Sequence, residues 1–150
     1  VNLDASDVDG FDLTLNWRPA RRTYVRLATS ITNTSSTNIG TSYSNSVPRS
    51  TIALLVSQGF GDGWRAAANY QRVSKMRWTD AGSGNLTIPA IDHLNLRLGK
   101  TFSASRHEIE IAGVLQNALG HYQDYYLGPP VSSRENVARR VAFLQLSVKY

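Results

Sequence analysis

A chain of 150 residues with 41% hydrophobic side chains and a mean hydropathy of -0.28 is one domain by length, and it holds no run of about 18 apolar residues, which excludes a membrane-spanning helix. The absence of cysteine excludes a disulfide scaffold, a thiolate metal site and a cysteine nucleophile. A net charge of +5 and a pI near 9.8 would suit a nucleic acid, but the cations are scattered: Arg18, Arg21 and Arg22 in one connection, Arg106 in a second, Arg134, Arg139 and Arg140 in a third. Such spacing suits anionic lipid headgroups, and no nucleic-acid partner is expected.

The opening residues, Val1-Asn2-Leu3-Asp4, have neither the basic nor the apolar region of a signal peptide. The expectation is a mature chain or a piece of a longer one. The first strand is predicted over Phe11 to Trp17, with Phe11, Leu13, Leu15 and Trp17 on one side and Asp12, Thr14 and Asn16 on the other. Residues Arg18 to Arg22, with Pro19 presetting φ, turn tightly into a second strand from Thr23 to Thr32. It carries Val25, Leu27, Thr29 and Ile31 opposite Tyr24, Arg26, Ala28 and Ser30. A stretch rich in Ser, Thr and Asn, Asn33 to Val47, reads as a long exposed loop.

The third strand, Thr51 to Gln58, puts Ile52, Leu54 and Val56 on its apolar side. Gly59 to Gly63 forms a short turn, and the fourth strand runs from Trp64 towards Trp78. A second long connection, Thr79 to Ala90, precedes a fifth strand in which Leu94, Leu96 and Leu98 oppose His93, Asn95, Arg97 and Gly99. After a short exit at Ser103 to Arg106, the sixth strand, His107 to Gln116, sets Ile109, Ile111 and Leu115 against Glu108, Glu110 and Gln116. The third long connection, Asn117 to Arg139, leads to the last strand, Val141 to Tyr150, with Leu144, Leu146, Val148 and Tyr150 on its apolar side.

Period-two alternation marks strands with one apolar face, and connections this short demand antiparallel neighbours. Short and long connections also alternate strictly. That segregation by end is the habit of outer-membrane barrels, with short periplasmic turns and longer extracellular loops. The predicted fold is therefore all-β, an antiparallel transmembrane β-barrel meander of about seven strands, with Leu13, Leu15, Leu54, Leu94, Leu96, Ile109, Ile111, Leu144, Leu146 and Val148 facing lipid.

Trp17, Phe60, Trp64, Phe102 and Tyr150 fall at the predicted periplasmic ends, where amphipathic rings prefer the headgroup level, and form a candidate membrane girdle. Tyr43, Trp78, Tyr122, Tyr125 and Tyr126 lie in the predicted extracellular loops. They are candidates for ligand contact, since rigid aromatics serve recognition, or for pinning long loops. His93, His107 and His121 share no metal-ligand spacing, so no metal site is expected. Glu108 and Glu110 have no nucleophile or base beside them and no Gly-x-Ser-x-Gly elbow exists, so no catalytic residue, cofactor or enzymatic activity is expected. Arg97, Glu108, Glu110 and Lys149 share the polar face on consecutive strands, where opposite charges can pair across neighbours.

Several segments in order resemble the C-terminal part of TonB-dependent outer-membrane receptors across nearly the whole chain. They are Gly10-Phe11-Asp12-Leu13; Pro48 before a strand that ends in Gly59-Phe60-Gly61-Asp62-Gly63-Trp64; Ile88-Pro89-Ala90-Ile91-Asp92 leading into Leu94-Asn95-Leu96-Arg97-Leu98-Gly99; Gln116-Asn117-Ala118-Leu119-Gly120 followed by Tyr122-Gln123-Asp124-Tyr125; and the aromatic Tyr150. The family more often has an acidic or amide residue where Gly120 stands, and Phe at the end. The resemblance implies a portion of a larger barrel of about 22 strands with a plugged lumen. It also implies TonB-dependent uptake of a siderophore-like metal chelate or another scarce nutrient at the bacterial outer membrane. The implied partners are outer-membrane lipid and lipopolysaccharide, the inner-membrane TonB complex acting through a plug outside this chain, and the barrel assembly machinery, to which Tyr150 resembles a targeting signal. The alternatives are a passive porin-like channel or small structural barrel, and a soluble β-rich binding module.

Overall fold

A computed structural model describes residues 6–36, 47–80, 84–104, 107–120, 122–128 and 132–149. The architecture is all-β. Seven strands form one antiparallel sheet: β1 (Ser6–Ala20), β2 (Thr23–Ser36), β3 (Ser50–Gly59), β4 (Trp64–Val73), β7 (Ile91–Ala104), β8 (His107–Gln116) and β11 (Val141–Lys149). Each strand pairs with the one before it in that order, as the alternating short connections require.

The register lines up large apolar residues across every pair of neighbouring strands in the middle of the sheet. Leu15 stands opposite Leu27, Leu27 opposite Leu54, Leu54 opposite Tyr70, and Tyr70 opposite Leu94. Farther along, Leu96 opposes Leu115, and Ile111 opposes Leu146. Because directly opposed residues project from the same side, one face is apolar from β1 to β11. The other face carries Asp12, Asn16, Arg26, Asn69, Asn95, Arg97, Glu110 and Gln145 among others.

The long connections contain more structure than their composition suggests, which corrects the expectation of plain loops at 79–90 and 117–139. The fourth strand does not run unbroken to Trp78. It lapses at Ser74-Lys75, and β5 (Met76–Asp80) then pairs with β6 (Gly84–Ile88). Val73 opposes Ile91 before the break and Met76 opposes Ile88 after it, so the register of the β4–β7 ribbon persists into β5–β6. Pro89 explains the lapse, since it has no N–H to offer the ladder. In the third connection, β9 (Tyr122–Gly128) pairs with β10 (Ser132–Ala138). There the preceding turn is sharp: Asn117 sits at φ 53 and Gly120 at φ 130.

The sheet is a single layer. Among the described residues the buried hydrophobic side chains are Ile88 and Ala112, and no large side chain is fully buried. The apolar face is instead bare, with Leu15 51%, Leu98 51%, Leu146 67% and Leu144 80% exposed. The sheet's own buried positions, Gly99 and Ala112, lie on the polar face, beneath longer polar side chains.

Candidate functional site

Three groups of side chains are organised by this sheet. The first is a band of rings at the short-turn end. Trp17 opposes Val25 and Phe102 opposes Ile109, which places both rings on the apolar face, and Trp64 opposes Lys100 on that face too. Trp17, Phe60, Trp64 and Phe102 are 56%, 51%, 40% and 44% exposed. Lys100 lies between two of them, its Nζ 5.1 Å from the Trp64 ring centre and 5.3 Å from that of Phe102. A cation over ring faces gains from the ring quadrupole, while its stem covers apolar surface and its head reaches water.

The turns behind this band are tied together. The Gly59 N–H donates to the Arg22 carbonyl at 2.7 Å, and the Arg22 guanidinium donates to the Phe60 carbonyl at 3.3 Å. At Gly63, φ is +79 and an added Cβ would lie 2.4 Å from the Thr101 carbonyl oxygen. Only glycine fits a left-handed position pressed this closely on a neighbouring strand. From Asp92 to Phe102, β7 covers roughly 33 Å at about 3.3 Å per residue.

The second group lies on the polar face. Arg97 donates to Glu110 Oε1 at 2.9 Å, crossing from β7 to β8. This realises one of the cross-strand pairings expected from the sequence. The two are not directly opposed: Arg97 faces Val114, and Glu110 faces Thr101. The pair runs diagonally over Gly99, whose Cβ, if present, would be 2.8 Å from Glu110 Oε1 and 3.2 Å from the Arg97 guanidinium. Glu108 and Lys149 stand directly opposite each other on β8 and β11.

The third group is at the other end, where the long connections emerge. On the apolar face the Tyr70 hydroxyl donates to Asp92 Oδ1 at 2.5 Å, and Arg72 contacts both Asp92 oxygens at 3.0 and 3.1 Å. A carboxylate bound this way is neutralised where the apolar face ends. Close by, Asn95 Oδ1 accepts the Asn117 N–H at 3.0 Å, and the Ala118 N–H donates to the Leu94 carbonyl at 2.7 Å. The two bonds fix the left-handed Asn117, a conformation Asn tolerates better than most residues.

A cavity of about 440 Å³ opens at this same end, and Arg49, Lys75 and Arg77 contribute to its wall. Sequence reading passed over these cations because they come from a strand entry and a strand break. Among the described residues no cluster of metal-ligating side chains occurs.

Of the ring residues singled out for ligand contact, Tyr43 lies outside the described residues, as do Tyr150 and His121. Trp78 falls on β5 opposite Leu86, and Tyr122, Tyr125 and Tyr126 fall on β9 opposite Ala138, Glu135 and Arg134. They therefore belong to two hairpins rather than to irregular loops. His93 and His107 are on separate strands, β7 and β8. Comparison of the chain with protein-family models, with curated proteins and with solved structures found no match.

Proposed function

We propose that this sheet is part of the wall of a bacterial outer-membrane β-barrel that serves as a TonB-dependent receptor for a metal chelate or another scarce nutrient. One observation carries the membrane half of this reading. A single-layer sheet exposes a continuous apolar face, with rings banded at one end and no second layer to bury it against. In water, an uncovered apolar surface of this extent is a severe liability, whereas hydrocarbon is its natural solvent. At a strand tilt of about 40° the roughly 33 Å from Asp92 to Phe102 spans about 25 Å along the normal, the height of the apolar band in such barrels.

In this reading the Trp17, Trp64 and Phe102 band lies at the periplasmic interface, the β5–β6 and β9–β10 hairpins extend outside the cell, and the polar face lines a wet lumen. The receptor half rests on the ordered resemblance of the sequence segments, including Leu94-Asn95 and Asn117-Ala118, which are bonded to each other here. The partners proposed are outer-membrane lipid and lipopolysaccharide, a TonB complex acting through a plug outside this chain, and the assembly machinery reading Tyr150.

The membrane half is tested by placing single cysteines at Leu96 and Asn69 in the complete protein in native outer membranes. Leu96→Cys should react only with a lipid-soluble maleimide and Asn69→Cys, on the polar face, with a water-soluble one; equal aqueous labelling rejects the reading. The receptor half is tested by chelate-dependent growth with and without TonB. The charged polar face also suits a passive channel, and that second reading would appear as TonB-independent solute flux.

A further inference from the structure

Resting on the proposed membrane placement of the apolar face, we propose that the groove on that face beside Lys100 holds one anionic phospholipid of the periplasmic leaflet, its phosphate on the Lys100 ammonium and its acyl chains across Ala66, Leu98 and Gly113.

The charged end of the site is a cation that its surroundings hold but do not neutralise. Lys100 stands on the apolar face of β7, with Trp64 and Ile111 as its directly opposed neighbours. Its Nζ lies between two rings, 5.1 Å from the centre of Trp64 and 5.3 Å from that of Phe102. Ring faces attract a cation, yet they bring no net charge to cancel it. Among the described residues no carboxylate pairs with Lys100. At the opposite end of the same face, Asp92 neutralises Arg72 at 3.0 Å. Along β4 and β7 the face therefore ends in a neutral pair outside and in an open cation at the ring band.

The apolar end is a groove of about 850 Å³ that begins at the same place. Leu98 follows Lys100 on this face, with Ala66 opposite it on β4 and Gly113 opposite it on β8. Both small residues are diagonal neighbours of Lys100, roughly 7 to 8 Å away across an antiparallel pair. They leave a hollow on each side of Leu98, walled farther out by Val56 and Leu144. Nothing within the sheet requires glycine at 113. It is not among the residues with positive φ, and an added Cβ would meet only the Leu98 carbonyl oxygen, at 4.0 Å, unlike the crowded positions Gly63 and Gly99. The register also runs through Gly113 on both sides without a bulge. A glycine inside a strand weakens it, and the remaining use of one is to let a ligand lie close against the backbone.

The face decides the occupant. In the proposed placement Lys100 faces away from the lumen, so a dissolved anion has no aqueous path to it, whereas a lipid brings phosphate and hydrocarbon together. A zwitterionic headgroup carries an ammonium of its own that competes with Lys100 for the phosphate. An anionic headgroup matches the single open charge. A second copy of the chain packed isologously on this groove would bring in a second Lys100, adding positive charge where none cancels it.

The experiment titrates the complete protein in detergent with dioleoyl phosphatidylglycerol or dioleoyl phosphatidylethanolamine and counts bound lipid by native mass spectrometry. Wild type should bind its first phosphatidylglycerol more tightly than phosphatidylethanolamine, and should not bind glycerol phosphate, which has the phosphate without the chains. Lys100→Gln should weaken phosphatidylglycerol binding at least about fivefold and abolish the preference. Gly113→Val fills the hollow and should weaken both lipids while leaving the protein at least as stable, because valine suits a strand better than glycine does. Arg26→Gln, on the polar face, should change neither. Heat-modifiable migration establishes that each variant is folded. If a variant fails to fold, the wild-type preference between the two lipids and the behaviour of glycerol phosphate still decide the matter. Equal phosphatidylglycerol affinity in wild type and folded Lys100→Gln overturns the proposal. So does glycerol phosphate bound as tightly as lipid, or a wild-type dimer that Gly113→Val dissociates. Equal aqueous labelling at Leu96→Cys rejects the membrane placement and this site with it; lipid-only labelling there, with phosphatidylglycerol binding unchanged in Lys100→Gln, rejects this site and leaves the membrane placement standing.

Discussion

Arg97 and Glu110 meet diagonally across β7 and β8 at 2.9 Å, over a residue that has no side chain, Gly99. The glycine is what permits the diagonal, because a Cβ there would lie 2.8 Å from the carboxylate oxygen. Gly99→Ala should therefore push aside the movable ends of Arg97 and Glu110 and break the pair at a cost of no more than about 1 kcal/mol, read as a lower urea midpoint for unfolding from lipid vesicles. The pair itself is 29% and 27% exposed, and Glu110→Gln should cost about as much. Adding Glu110→Gln to Gly99→Ala should then cost little more, and fully additive losses would mean that the glycine does not act through the pair.

The two faces of β7 should differ in their tolerance of charge. Leu96→Arg puts a cation on the apolar face and should cost about 2 to 4 kcal/mol near the bilayer midplane. Its neighbour Asn95→Lys is not the right control, because the Asn95 amide oxygen holds Asn117; Asn69→Lys, on the polar face of β4, should stay within about 0.5 kcal/mol. Refolding into vesicles across a urea series compares the two, and equal costs would mean that the apolar face does not meet lipid.

Two glycines of the same turn should behave differently. Gly63→Ala combines a φ of +79 with a Cβ placed 2.4 Å from the Thr101 carbonyl oxygen, whereas nothing lies within 4 Å of a Cβ at Gly61. The first substitution should cost about 1 to 3 kcal/mol and the second stay within about 0.5 kcal/mol. Thermal loss of the fast-migrating folded band on unheated gels measures both.

Asn95→Ala should loosen the turn at Asn117 by removing the acceptor of its N–H. The expected cost is about 1 to 3 kcal/mol, because that N–H belongs to a residue only 3% exposed. Amide exchange at Asn117 should accelerate, while that of Ala118, bonded to the Leu94 carbonyl, should change less.

The strands of the main sheet were legible because each has two unlike faces. Leu94, Leu96 and Leu98 against Asn95 and Arg97 leave only one register that keeps the apolar side together. The outer hairpins left no such imprint. Tyr122 to Gly128 and Ser132 to Ala138 mix polar and apolar residues without a sustained period of two, so composition alone suggested a loop. Residues up to Trp78 read as the tail of the fourth strand and Thr79 to Ala90 as a connection, so the partner strand, Gly84 to Ile88, was hidden by its neighbouring glycines and Pro89. Charge pairing was legible only as a shared face. That Arg97 reaches Glu110 rather than a directly opposed residue depends on the register and on Gly99. The cavity at Arg49, Lys75 and Arg77 draws on segments far apart in the chain, and nothing in their local spacing announces it.

The interruption at Ser74-Lys75 opposite Pro89-Ala90 keeps the register of β4–β7 while removing a short section of the ladder. The gap is held from the side, because Ser74 and Ser50 exchange two hydrogen bonds there. The step from β4 into β5 is thus made at a residue fastened to β3, so the outer β5–β6 hairpin inherits its register from the sheet rather than from its own turn.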